Sequence, residues 1–97
     1  MLHLYIIPDD QPRPDKASIL PLAGELDETI VENLQQKGII ADRFDIYSTF
    51  RWGTDLIQQM RQTIQKKNMS RDADVQQLVK LFDIAEKNNC GLLAHGD

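Results

Sequence analysis

The sequence predicts a small two-layer domain of the α/β (α+β) class, with about three strands, both chain termini among them, and three helices. Three observations carry that expectation. The two ends, "LHLYIIP" and "GLLAH", are short apolar runs rich in strand formers. The longer segments between them repeat apolar residues at helical spacing. The length, 97 residues, supplies one hydrophobic core, because a second would need roughly another 50 residues or more. Residues 1–97 are therefore expected to form a single globular domain, with a proline-rich loop at about 9–24.

Along the chain, Leu2, Leu4 and Ile6 alternate with Tyr5 and Ile7, so both faces of the first strand are apolar, as suits an interior position, and Pro8 stops it. The next stretch, "DDQPRPDKASILPLAGE", holds Pro12, Pro14 and Pro21 and reads as irregular; it is long for a compact domain, which marks it as functional or mobile. Leu26, Ile30 and Leu34 then recur every fourth residue, predicting a helix from about Asp27 to Lys37 with Gly38 as its left-handed stop. Alternation of Phe44 and Ile46 against Asp45 and Tyr47 predicts a short strand near Phe44 to Thr49. A second helix is expected from about Arg51 to Asn68, on Leu56, Ile57, Met60 and Ile64. Ser70 is read as the cap of a third, whose apolar stripe is Val75, Leu78, Val79, Phe82 and Ala85. The run Asn88, Asn89, Cys90, Gly91 ends that helix, and Leu92 to Ala94 make the last strand. Because the terminal strands are the most apolar, they are expected to be central and adjacent.

Composition narrows the functional classes. Fifteen acidic side chains against eleven basic ones leave a net charge of −4, the wrong sign for a protein whose affinity comes from neutralising phosphates. Nucleic acid is not expected as a partner; a basic protein surface is. No apolar run approaches the roughly 20 residues a membrane helix requires, and the start lacks the basic residues and cleavage site of a signal peptide. The expected location is the cytoplasm. A lone Cys, Cys90, fits a reducing compartment and builds no metal framework.

Four groups of residues invite a chemical reading. The terminal "CGLLAHGD" with His3 would bring a thiol towards a base if the end strands pair, but strand alternation separates Cys90 from His95, and a free Cys is among the most buried residue types. The first helix carries an acidic face, Glu25, Asp27, Glu28 and Glu32, flanked by Asp9, Asp10, Asp42 and Asp45. Carboxylates at 28 and 32 lie one turn apart and repel, a strain that a cationic partner relieves. In "DIYSTFRWGTD", Trp52 is expected in the core, with Tyr47 and Arg51 exposed as interface anchors. Finally, Arg61, Lys66, Lys67 and Arg71 form a basic corner without aromatic residues for base stacking. With no phosphate loop, Ser elbow or paired Cys motif, no catalytic residue, cofactor or metal is expected, and the chain is read as a non-enzyme.

This small acidic chain, with "YSTFRWGTD" at its middle and a helix running into "GLLAHGD" at its end, resembles bacterial immunity proteins. Those are small cytosolic inhibitors that protect a cell from toxins of contact-dependent and other polymorphic toxin systems. The resemblance implies a binding function, in which one face docks on a toxin domain, usually a nuclease with a basic cleft, and blocks it. The residues expected to form that face are Asp27, Glu28 and Glu32, with Asp45, Tyr47 and Arg51 beside them. The competing class is a self-associating scaffold or regulatory module that pairs through an edge strand or the proline-rich loop.

Overall fold

The computed structural model describes residues 1–96. Four strands, β1 (Leu2–Ile7), β2 (Leu22–Leu26), β3 (Thr49–Trp52) and β4 (Gly91–Gly96), form one antiparallel sheet in the order β2-β1-β4-β3. Three helices, α1 (Glu28–Gln36), α2 (Thr54–Lys66) and α3 (Ala73–Lys87), accompany it. The α+β class holds, and the terminal strands are central and adjacent, with Leu2 opposite Gly96 and Ile7 opposite Gly91. A strand apolar on both faces must be covered on both, and only the middle of a sheet provides that.

The strand count is corrected from three to four. β2 begins inside the segment read as a proline-rich loop at about 9–24, which therefore gives way to a strand at Leu22. Pro21 cannot donate to a ladder, yet its carbonyl accepts the Ile6 N–H at 2.8 Å, so a proline at the mouth of an edge strand is tolerated. Register slips between Leu4 and Tyr5, where Gly24 and Leu22 are the successive partners and Ala23 is the extra residue of a bulge. The third strand is also displaced. Residues 44–48 form turns, because Asp45 Oδ1 accepts the Tyr47 N–H at 2.9 Å and the Asp45 carbonyl accepts the Ser48 N–H at 3.0 Å, local bonds that compete with a ladder. The extended run begins at Thr49 and takes in Arg51 and Trp52, so α2 starts at Thr54 rather than near Arg51. At the next helix the residue at the cap position is Asp72, not Ser70.

All three helices stop in the same way. The residue after the cap is left-handed, Gly38 (φ 75°), Asn68 (φ 56°) and Asn89 (φ 55°). The following N–H reaches back five residues: Ile39 to the Leu34 carbonyl (3.0 Å), Met69 to Ile64 (3.0 Å) and Cys90 to Ala85 (2.9 Å). This is the Schellman motif, which also brings the apolar residue after the turn onto the last helical turn. Cys90 is that residue for α3. Its near-complete burial follows from closing a helix.

Alternation divides the sheet into two faces. Leu2, Leu4, Leu92, Ala94 and Trp52 point to the helices and are fully buried with Phe82, Leu78, Ile57 and Leu34. α3 lies on β2, β1 and β4, α2 on β3 and β4, and α1 packs on α3. Trp52 is in the core as expected, edge-on to Phe44 and Phe82 at 6.1 and 6.3 Å between ring centres. Its indole Nε1 is buried without a hydrogen-bond partner, at a cost of about 1–3 kcal/mol offset by the area the ring buries. On the other face, Leu20 folds back onto Ile7 and Leu93, with Tyr5 and Ala17 at its border. The proline-rich segment is thus the second cover of the sheet.

Candidate functional site

Five of the six residues expected to form a binding face come together. Asp27 precedes α1 at the end of the sheet where Leu26, Leu2 and Gly96 stand in register. The turn at 45–48 is drawn to the same end because the Gly96 N–H donates to the Ser48 carbonyl at 2.9 Å. No other residue fits at 96: a Cβ there would sit 1.7 Å from the Ile46 carbonyl oxygen and 2.7 Å from Tyr47 Cα. This close approach presents Tyr47, which is 64% exposed, to α1. Its hydroxyl donates to Glu28 Oε1 at 2.8 Å. That bond, reinforced by the charges of Glu28, Glu32 and Asp45, raises the phenol above its ordinary value. Among the described residues, no cation forms a salt bridge with Asp27, Glu28, Glu32 or Asp45.

Arg51 does not belong to this face. It stands opposite Leu93 on the loop-covered side, where its guanidinium donates to the Pro8 and Asp9 carbonyls. That is the far end of β1 from Tyr47. Asp9 in turn receives the Thr54 N–H at 3.1 Å and the Thr54 hydroxyl, so it caps the start of α2 from 45 residues away. The Thr54 hydrogen bonds hold its carboxyl below the usual carboxylate value, with the Arg51 charge adding to them against a smaller effect of burial. Nothing in local sequence marks Asp9 as a cap, since the usual cap sits next to its helix. The fixed Arg51 is a structural tie.

The terminal Cys-His pairing does not form. His95 stands opposite His3, and its Nδ1 lies 2.7 Å from Thr49 Oγ1, while Cys90 precedes the other end of the strand, roughly 16 Å away at about 3.3 Å per residue. The Cys90 Sγ donates to the Asn88 carbonyl at 3.1 Å. Burial pushes its thiol up, and the charges of Asp9 and Asp10 act in the same direction, the reverse of what a thiolate nucleophile requires. Asp97, the last member of that cluster, lies outside the described residues. Among the described residues, no three His, Cys, Asp or Glu side chains are placed to hold a metal ion.

The basic corner is partly consumed within the fold. Arg61 bonds Asp83 at 2.8 Å and Glu86 at 2.7 Å on α3 and lies over the Phe82 ring. Lys67 Nζ donates to the Lys37 carbonyl at 2.7 Å, leaving Lys66 and Arg71 exposed. Lys37 joins α1 to the start of α3 through Asp74 at 2.7 Å and Asp72 at 3.1 Å. Burial works to raise Asp74, but hydrogen bonds from Lys37 and from the Val75 N–H outweigh it and hold the carboxyl below its ordinary value. None of the described helices is long and apolar enough to cross a membrane. Comparison of the chain with protein-family models, with curated proteins and with solved structures finds no match.

Proposed function

We propose that this protein is an inhibitor of the immunity type, which docks an acidic face on a toxin domain with a basic substrate cleft, of the nuclease kind, and blocks it. The observation that carries the reading is the group of carboxylates around Tyr47, Asp27, Glu32 and Asp45 exposed and Glu28 half-buried, none of them in a salt bridge among the described residues, in a chain whose Lys37 and Arg61 are spent on internal salt bridges. Opposite charge steers association, and a desolvated aromatic with a polar end anchors it. The face is reduced by one residue from the sequence expectation. Asp27, Glu28, Glu32, Asp45 and Tyr47 make it, and Arg51 does not.

The test uses the protein and a candidate toxin domain, sought first in the reading frames that neighbour its gene. Glu28→Lys with Glu32→Lys is expected to weaken binding by about a hundredfold and to flatten its salt dependence, while Arg51→Ala leaves affinity within about threefold once the variant is shown to be folded. Unchanged binding on charge reversal removes the assignment. The competing reading, a self-associating module, draws on the open edge of β2, where Leu22 is 53% exposed and nearby Ile19 is 70% exposed. Light scattering at two concentrations separates the two, because a one-to-one inhibitor has no need to dimerise.

A further inference from the structure

We propose that the cavity between the proline-rich segment and the sheet is a binding site for a small organic anion, a carboxylate or phosphate carried on an apolar body. The cavity holds about 330 Å³, at the lower end of the range usual for small-molecule sites. Tyr5 and Leu93, from the two central strands, supply an apolar floor. Thr49 and His95 add a polar wall, and the 2.7 Å contact between them fixes the imidazole ring. Arg13 and Lys16 line it from the loop. The loop is held in place by Leu20, buried against Ile7 and Leu93, so the cavity is formed before any ligand arrives.

Charge decides the ligand class. Neither Arg13 nor Lys16 makes a salt bridge among the described residues, whereas Lys37 and Arg61 do. Two uncommitted cations beside one cavity are a concentration of positive charge in a chain of net −4. A guanidinium fork matches the paired oxygens of a carboxylate or phosphate. Asp15 also lines the cavity, so two cations and one carboxylate leave a single positive charge, which suits one anionic group rather than several. A second hollow, about 370 Å³ beside Cys90, is lined by the carboxylate Glu86 and by no cation, and a third, about 220 Å³, has the single cation Arg43, which lies over the Phe44 ring. The site is on the opposite side of the sheet from the helices, and its existence does not depend on the proposed inhibitory function.

The experiment is a titration of the intact protein followed by nuclear magnetic resonance at the Leu93 methyls, Thr49 and His95. Four probes are used: benzoate, phenyl phosphate, the neutral isostere benzyl alcohol, and inorganic phosphate. Saturable shifts at those residues are expected with benzoate or phenyl phosphate, and the stronger of the two identifies the anionic group. Benzyl alcohol is expected to bind about tenfold more weakly or worse, and Arg13→Ala with Lys16→Ala to weaken the anion by about tenfold or more, with an unchanged melting temperature because both side chains are exposed. Any one of four results overturns the proposal. These are no saturable shift with either aromatic anion, equal binding of benzyl alcohol, inorganic phosphate binding as tightly as phenyl phosphate, or a double variant that binds as the parent does.

Discussion

The two faces of the one sheet differ more than its four strands do. Towards the helices, Leu2, Leu4, Leu26, Leu92, Ala94 and Trp52 are buried in one core, and among the described residues the only side-chain polar atom buried without a partner is the Trp52 indole nitrogen. Towards the loop, one row is polar across all four strands, Glu25, His3, His95 and Thr49, and the next is largely apolar, Tyr5 beside Leu93. The first face is closed by elements that carry their own hydrogen bonds. The second is closed by an irregular segment, and where that segment stands off, a cavity remains. A cover that satisfies its own backbone can lie flat on a sheet; one rich in proline touches at a few points such as Leu20 and leaves space between them.

Neighbouring residues of β4 provide the sharpest test, since Leu92 and Leu93 are both fully buried but face opposite ways. Leu92→Ala is expected to destabilise by about 4 kcal/mol and Leu93→Ala by about 2 kcal/mol, because the loop can settle into the smaller cavity and the helix layer cannot. Urea unfolding measures both, and equal losses would break the comparison. A smaller effect, on the order of 1 kcal/mol, is expected from Leu20→Ser, which releases the loop without opening the helix layer. Hydrogen exchange should quicken at the Leu20 amide, which bonds the Ala17 carbonyl at 2.9 Å, and remain slow across α3. If α3 loses protection in step, the loop is part of the same cooperative unit.

The last effect is one of slope. Asp74 has a lowered carboxyl value in the folded state, so its contribution is present above the unfolded value near 3.9 and is lost as pH falls through the folded one. Lys37 is raised, so its share is present below its ordinary value and lost as pH rises through the raised one. Asp74→Asn should therefore lower the melting temperature at neutral pH and flatten its fall below about pH 4. Arg13→Ala, on the loop side, should leave that fall unchanged. An acid limb that responds to Arg13 and not to Asp74 would place the charge coupling on the wrong face.

The helices were legible because each buries one stripe at a period that composition cannot disguise, and because Gly38, Asn68 and Asn89 mark their ends. β1 and β4 were legible because both their faces are apolar. β2 was not: "LAGEL" has few strand formers, follows a proline and contains a glycine, and it is extended because the free edge of β1 offers it hydrogen bonds. The acidic face could be read as far as local sequence reaches, through Asp27, Glu28 and Glu32, and its joining to Asp45 and Tyr47 was an expectation of proximity that the close approach at Gly96 fulfils. Arg51 was misplaced because the strand begins later than the alternation of Phe44 and Ile46 suggests, and in β3 it points away from the helices. The cavity gave only one signal, the length of the segment over it.

Sequence alone determined the class, the three helices and their stops, the central terminal strands and the negative charge, since these follow from periodicity, burial and local backbone preference. Tertiary structure decided the edge strand, the capping of α2 by Asp9, the side on which Arg51 lies and the space under the loop. Each of those depends on a hydrogen bond or a void between residues far apart in the chain. No local pattern encodes such a pair, because its free energy exists only once the intervening elements have packed.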